Sequence, residues 1–573
     1  MTGANFPAAA HGRRLPNLFD MIALLALFGL FAAFGGAARS TLLPLAASQS
    51  TAIHLDPAWL PYYALRTTLR MFAALFASLL FTFTYAPIAA KSRRAGLVMI
   101  PALDILQSVP ILGFLTFTVT VFMGMFPGKV LGAELASIFV IFTSQAWNMA
   151  FSFHQSLTTL PRDLAEACDS FRLSPWQRFW KLEVPFAMPG LVWNTMMSMS
   201  GGWFFVVASE AVSVGNTSWT LPGVGSYIAV AQQKGDIAAV FYAILAMLVV
   251  ILAYDQLLFR PLVAWSAKFR FETTARVEEE DPWMLKLFRR TALISWAIDQ
   301  LAAVFAWFGS RRLKISVRLP KLALSERVAD GIFGATLAIV VVWAVDLIFT
   351  YVSVTLRWSD LLVAVLLGCI TLARVMVLIV LASLLWVPVG VWLGLRPVWA
   401  KRIQPLAQFL AAFPANLFFP VFVLGIVHFR LMPDIWLTPL MILGTQWYIL
   451  FNVIAGATAF PGDLLEVSKN FRLKGWLWWR RVILPGIFPY FVTGALTASG
   501  GSWNASIVAE AVSWGNRHLE AAGLGSYIAD ATVAGDYPRV ALGIATMSVF
   551  VIAFNRLVWR PMYAFAERRL RLA

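Results

Sequence analysis

Residues 161–189 read PRDLAEACDSFRLSPWQRFWKLEVPFAMP, and residues 461–489 read PGDLLEVSKNFRLKGWLWWRRVILPGIFP. The second stretch is the first moved by 300 positions (461 − 161 = 300): Asp163-Leu164 returns as Asp463-Leu464, Glu166 as Glu466, Phe171-Arg172-Leu173 as Phe471-Arg472-Leu473, and Pro185 as Pro485. Outward from this stretch the same register carries Trp203 to Trp503, Glu210-Ala211-Val212-Ser213 to Glu510-Ala511-Val512-Ser513, and Arg260-Pro261 to Arg560-Pro561. Upstream the offset becomes 304 and aligns Arg70 with Arg374, Pro101 with Pro405 and Pro110 with Pro414. The chain is an internal duplication, so each half is expected to adopt the same supersecondary plan.

Composition says where that plan is built. Of 573 residues 60% are hydrophobic and only 13% charged, and the mean hydropathy is +0.74. Stretches such as Met21 to Ala38, Leu135 to Phe153 and Val540 to Trp559 reach the roughly 18 residues a membrane-spanning helix needs. No segment of about ten residues alternates apolar and polar as a transmembrane barrel requires. The net charge of +16 comes from short basic clusters between apolar runs, which are topology signals and not a nucleic-acid-binding face. Cys168 and Cys369 are the only cysteines and imply neither a disulfide framework nor a metal site.

Six spans are expected in the first half, at 21–38, 68–88, 96–122, 135–153, 190–212 and 237–259. Six more follow at 332–350, 368–394, 405–427, 435–457, 486–512 and 540–559. An even number per half makes the repeats parallel, related by an axis along the membrane normal. The basic clusters Arg13-Arg14, Lys91 to Arg94, Arg172 to Lys181, Lys268 to Arg270, Arg311 to Lys314, Lys401-Arg402, Arg472 to Arg481 and Arg568 to Arg571 then share one face. By the positive-inside rule that face is cytoplasmic and holds both termini. Met21 to Ala38 is taken as an uncleaved first helix and not a signal peptide. The expected division is a first transmembrane domain at 1–265, a cytoplasmic linker at 266–328 and a second transmembrane domain at 329–573. Within the linker, Ala292 to Phe308 is short for a span and contains Asp299, so an interfacial amphipathic helix is expected there. Pro101, Pro110, Pro405 and Pro414 are expected to kink the third helix of each half.

The two loops at 161–189 and 461–489 are long for cytoplasmic connections and begin with proline and acidic residues, as short helices do. A helix-turn-helix on the cytoplasmic face is expected, with Pro175 interrupting the first helix. These residues resemble the permease subunits of binding-protein-dependent ABC importers, whose cytoplasmic loop reads Glu-Ala-Ala, then Gly, then Leu-Pro or similar. Glu166-Ala167 and Glu466 stand at its start, and Pro185 and Pro485 lie 19 residues on (185 − 166 = 19). The segments after Glu210 and Glu510, with Gly223-Val224-Gly225-Ser226-Tyr227 and Gly523-Leu524-Gly525-Ser526-Tyr527, are similar to the nitrate, sulfonate and taurine branch.

The resemblance implies an all-α polytopic protein with the type I importer fold. It implies two ABC ATPase subunits gripping the loops, a periplasmic substrate-binding protein, a bacterial inner-membrane location, and a small anion such as nitrate, a sulfonate such as taurine, or bicarbonate. Coupling to the ATPases would fall to Asp163, Glu166, Ala167, Arg172, Pro185, Asp463, Glu466, Arg472 and Pro485. ATP and Mg would belong to the partners, since no Gly-x-x-x-x-Gly-Lys-Ser/Thr loop occurs here and Gly128-Lys129 lacks the pattern. No catalytic residue, metal or cofactor is expected in this chain. Arg172 and Arg472 occupy the family's Gly position, where an arginine is expected to take ordinary helical dihedrals and offer a bidentate contact to an acidic partner. The alternative, a twelve-helix secondary carrier, predicts short cytoplasmic loops and working ionisable groups at midplane.

Four charges remain. At 1.5 Å per residue, Arg70 and Arg374 come out near the external boundary, level with Glu210 and Glu510. At that depth they either close a structural ion pair or line the translocation pathway.

Overall fold

In a computed structural model, residues 53–269, 291–311 and 326–569 are described, apart from 109–110, 215–216, 459, 461 and 516, together with positions 21, 36 and 284. The expected first span, 21–38, lies outside these residues except at two positions. The first half runs α1 (Leu60–Lys91), α2 (Arg93–Ser108), α3 (Ile111–Met125), α4 (Val130–Thr158), α5 (Arg162–Ser170), α6 (Pro175–Arg178) and α7 (Val184–Glu210). A hairpin follows, β1 (Ala211–Val214) and β2 (Thr217–Thr220), then α8 (Val224–Lys234), α9 (Ile237–Tyr254) and α10 (Arg260–Ser266). In the linker stands α11 (Ala292–Ser310), a helix as the sequence led us to expect. The second half runs α12 (Glu326–Ser353), α13 (Trp358–Gly394), α14 (Pro397–Ala412), α15 (Phe419–His428), α16 (Pro433–Trp436), α17 (Gln446–Thr458), α18 (Gly462–Asn470), α19 (Gly475–Trp478) and α20 (Leu484–Ala509). It closes with β3 (Ala511–Trp514), β4 (Arg517–Glu520), α21 (Leu524–Ala534), α22 (Tyr537–Phe554) and α23 (Arg560–Arg569).

The protein is a polytopic helical membrane protein. Among the described residues seven helices are long and apolar enough to cross a bilayer, or up to nine if two bent pairs each count as one span, against the twelve spans expected. Of the three expected spans outside these nine, 21–38 lies beyond the described residues but for two positions, 96–122 is divided into α2 and α3, and 190–212, within α7, is not among the helices long and apolar enough; the two bent pairs have local causes. The span expected at 405–427 is broken: the axes of Leu406–Ala412 and Ala415–His428 diverge by 80°. Pro414 has no N–H to continue the ladder and forces Phe413 into extended backbone, ψ 128°, so the helix stops and restarts. The span at 435–457 bends by 44° between Pro433–Met441 and Gln446–Thr458, where Pro439 and Gly444 interrupt it; its counterpart α4, free of both between 133 and 158, is one helix. The fifth spans end at Glu210 and Ala509, two or three residues early, and give way to antiparallel hairpins pairing Ala211 with Thr220 and Ala511 with Glu520. No strand was expected, although a Gly-Asn pair at 215–216 and again at 515–516 is a hairpin signal.

Four π-helical turns recur in register: Phe179–Glu183 with Trp479–Ile483, and Asp255–Phe259 with Asn555–Trp559. Each ends two residues before a proline, Pro185, Pro261, Pro485 or Pro561. The proline withholds its N–H from the carbonyl four residues back, and the ladder loosens there to i→i+5 bonds, Val184 N to Phe179 O and Leu484 N to Trp479 O among them.

By its internal contacts the chain divides into two units. One gathers 1–40, 152–196 and 252–322, which joins the 161–189 loop to the linker. The other gathers 41–151, 197–251 and 323–573. Within the second unit the repeats interlock reciprocally: Ile111 N donates to Asn504 Oδ1 at 2.6 Å, and Asn416 Nδ2 to Phe204 O at 3.2 Å. Trp203 and Trp503, equivalent residues, are both fully buried.

Candidate functional site

The loops at 161–189 and 461–489 fold alike. In each, a nine-residue helix, α5 or α18, ends in the same turn: Arg172 N donates to Asp169 O and Leu173 N to Cys168 O, while Arg472 N donates to Lys469 O and Leu473 N to Ser468 O. This 5→2 and 6→1 pair of bonds is a Schellman motif, which needs a left-handed residue just past the helix end. Arg172 (φ 49°) and Arg472 (φ 52°) supply it. The expectation of ordinary helical dihedrals at these arginines is therefore corrected: they take the conformation a glycine would take, at roughly 1–2 kcal/mol each for an L-residue, and the surrounding hydrogen bonds hold them there. Pro175 does not interrupt α5, which has already ended at Ser170; it opens α6, behind a capping box of Ser174 and Gln177.

The side chains of Asp163, Glu166, Ala167 and Arg172 are exposed, as are those of Glu466 and Arg472; Asp463 stands in the first turn of α18. Pro185 and Pro485 lie further in, just beyond the π turns. Sequence reasoning gave no role to Phe171 and Phe471, yet their rings are 76% and 75% exposed. Each loop thus holds one exposed apolar ring at its tip, followed by a left-handed arginine. The underside of the first loop is tied down: Arg178 lies 3.4 Å from Glu183 and 3.7 Å from Asp169, and Cys168 is buried, which pushes its thiol pKa upward.

The second constellation is built once in each half. Arg70, on α1, gives Nη1 to Glu210 Oε1 at 2.7 Å and to Pro222 O at 3.0 Å, and Nε and Nη2 to Glu134 at 2.6 and 2.7 Å. Arg66 pairs with the same Glu134. Thr67 Oγ1 donates to Glu210 Oε1 at 2.7 Å and accepts from Val224 N, and Gly225 N donates to Glu210 Oε2 at 2.6 Å. The Glu210 carboxylate thus caps α8, whose own N-cap, Gly223, offers no side chain; a Cβ at Gly223 would overlap that carboxylate, and one at Gly225 would overlap Val207 O.

In the second half Arg374 reaches Glu510 at 3.2 Å and Asp434 at 3.1 Å. Thr371 donates to Glu510 at 2.9 Å, and Gly525 N donates to its other oxygen at 2.7 Å. Arg70 with Glu210, and Arg374 with Glu510, are in contact, as the ion-pair alternative requires. Glu134 and Asp434 escaped the sequence analysis, although they keep an acid at the 300-residue offset (434 − 134 = 300).

The copies differ. The first is sealed, with side-chain exposures of 0–4%, and balances two arginines against two glutamates. In the second, Ile370 stands where the first has Arg66, Asp434 is 62% exposed, and one arginine faces two carboxylates.

The family model for the binding-protein-dependent transport system inner membrane component matches residues 79–259 and again 386–571. Among curated proteins the chain is similar to the nitrate import permease protein NrtB of Leptolyngbya laminosa, 27% identical over 33% of this chain and 64% of the relative. It is also similar to the bicarbonate transport system permease protein CmpB of Synechocystis sp., 27% identical over 26% of this chain and 51% of the relative. The glycine betaine/carnitine transport permease protein GbuB of Listeria monocytogenes is 29% identical over 29% of this chain and 54% of its own length. The matched stretches span less than two thirds of each of these relatives.

Proposed function

Since the chain belongs to the family of inner-membrane components of binding-protein-dependent transport systems, matched once in each half, we propose that it is the complete permease pair of an ABC importer fused into one polypeptide. Its two halves form a translocation pathway between them and alternate access to either side of a bacterial inner membrane, with both termini cytoplasmic. ATP and Mg are bound by two separate ATPase subunits, one at each cytoplasmic loop, and a periplasmic binding protein delivers the solute. The solute is a small anion of the nitrate or bicarbonate class; support for this is the naming of the nitrate and bicarbonate relatives together with the Glu210 and Glu510 segments.

One observation carries the coupling assignment: both loops repeat the same Schellman-capped helix and hold Phe171 or Phe471 out from it. When ATP closes the ATPase pair, a groove on each subunit drags its loop, and the rigid helical run from α6 through α7, or from α19 through α20, carries the displacement into the membrane. The test is Glu166→Ala with Glu466→Ala in the assembled transporter. We expect normal insertion and yield, with uptake lost and ATP hydrolysis no longer stimulated by the loaded binding protein. Unchanged uptake with normally stimulated hydrolysis overturns the assignment.

A further inference from the structure

The last carbonyls of any helix lack intrahelical donors, and α11 finds two of them on the first cytoplasmic loop. Trp176 Nε1 donates to Phe308 O at 2.9 Å, and Gln177 Nε2 donates to Ser310 O at 2.8 Å. The Phe308 ring stands edge-on to Trp176 and Trp180, with centroids 4.9 and 5.7 Å away. Gly309 permits this approach, since a Cβ there would lie 3.0 Å from Trp180. Gln177 is engaged at both ends of its amide, because its Oε1 accepts from Ser174 N at 3.0 Å. All of these residues belong to one unit of the chain.

The second loop is built differently at the same positions. Leu477, which cannot donate, replaces Gln177, and Trp476, the counterpart of Trp176, is 71% exposed. The duplication does not extend to α11, which lies in the single linker. Along α11, Trp296, Val304, Phe305 and Trp307 are exposed apolar side chains. Basic residues stand at both ends, Arg289-Arg290 before it and Arg311-Arg312 with Lys314 after it, and Arg311 lies over the Trp307 ring at 3.9 Å. Positive charge at both ends fits a helix lying along the cytoplasmic interface, where each end meets anionic headgroups, better than a spanning helix, whose basic end marks one side.

We propose that α11 is a brace seated in the cytoplasmic lipid interface that docks its C-terminus onto the first coupling loop, holding it from behind through Gln177, a donor that the second loop replaces with Leu477. The two ATPase subunits then meet mechanically unequal loops: displacement of the first is resisted by a membrane-seated helix, and the linker sets how much of each ATP-driven movement it transmits. This rests on the coupling assignment above and adds to it a role for the linker.

The test uses the assembled transporter in native membranes. With Cys168 and Cys369 replaced by Ala, Trp180→Cys and Gly309→Cys, whose Cβ atoms would lie 3.0 Å apart, close to the range a disulfide spans, should cross-link on oxidation, and the cross-linked protein should keep transporting, because a brace does not part from its loop. Separately, Trp176→Ala with Gln177→Leu, the latter copying the residue the second loop already carries, removes both donors. Losing two ordinary hydrogen bonds lowers the ratio of docked to undocked forms about thirtyfold, and uptake per ATP hydrolysed should fall as the undocked form becomes populated. A nitroxide at Phe305→Cys should be relaxed more by oxygen than by a water-soluble nickel chelate. Absence of the cross-link, an unchanged ratio of uptake to hydrolysis, or a water-exposed nitroxide each overturns the brace. The Glu166→Ala, Glu466→Ala protein, measured in parallel, separates the two levels: if it still uncouples, only the brace has failed, and if it transports normally, the coupling assignment has failed first.

Discussion

At the scale of single residues the arginines at the loop turns are the departure that matters. A glycine at 172 or 472 would adopt φ near 50° without strain, whereas arginine pays about 1–2 kcal/mol there. A side chain kept against that cost in both halves points to work done by the guanidinium beyond the turn. Arg172→Gly with Arg472→Gly should therefore hold or raise the unfolding temperature in detergent, while weakening association with the ATPase subunits. A lowered unfolding temperature with unchanged association would show instead that the side chains only support the loop. This conformation was not legible from sequence, because a repeated Phe-Arg-Leu looks like helix until the hydrogen bonds past Ser170 and Asn470 are seen. Glu134 and Asp434 were hidden otherwise: each lies near a long apolar run, and Glu and Asp are not an identical match. Searching the 300-residue offset for like charges instead of like letters would have found them.

At the scale of elements the halves, the loops and the linker helix were legible, because all three are written as periodicity and spacing. What was not legible follows from prolines acting through their surroundings. Pro414 reads as a kink and in fact divides its span by 80°. Pro185 and Pro485 read as motif letters and in fact leave a π turn in each of the two loops. A π turn holds one residue more than the α turn it replaces, so closing it to α geometry rotates everything on one side by about 100° relative to the other. Pro185→Ala with Pro485→Ala restores the missing donors and lets that closure happen. The expected result is a helix as stable as before, or more so, in thermal unfolding, together with a loss of ATP-driven uptake as the loops turn away from their grooves. Retained uptake would mean that surrounding packing, and not the prolines, fixes the π turns. The trans-capped helices make a sharper case: Gly223→Ala places a methyl against the Glu210 carboxylate, and a fall of several degrees in unfolding temperature is expected, whereas Gly235→Ala, with open space around it but φ 67°, should cost only the backbone strain of about 1 kcal/mol.

At the scale of the whole molecule the duplication repeats its order of elements, with one span bent in the second half only, and is unequal in electrostatics. In the first half the removal of Arg70 leaves Glu210 with hydrogen bonds but no cation, and Glu134 with Arg66 alone, both out of reach of water. Stranding a buried charge in this way costs on the order of 3–5 kcal/mol. In the second half the removal of Arg374 leaves Asp434, already 62% exposed, to water and to the Ala522 amide that donates to it at 2.8 Å. Only Glu510 is then left buried, with Thr371 and the amides of Gly525 and Ser526 still donating to it, and about 1–3 kcal/mol is the expected loss. Arg70→Gln should accordingly lower the unfolding temperature of the solubilised protein clearly more than Arg374→Gln, and adding Glu210→Gln to Arg70→Gln should recover part of the loss. Uptake separates the two roles these charges were given. If the clusters only staple the hairpins and α8 or α21 to the long helices, uptake per folded molecule survives in the charge-neutral double variants. If Arg374, the less buried of the two, also meets the anion in the pathway, Arg374→Gln with Glu510→Gln keeps its stability and still loses uptake at low substrate concentration, with the loss overcome as substrate is raised. Equal destabilisation by Arg70→Gln and Arg374→Gln would refute the inequality of the halves, because it would mean that Asp434 is held as firmly as Glu134.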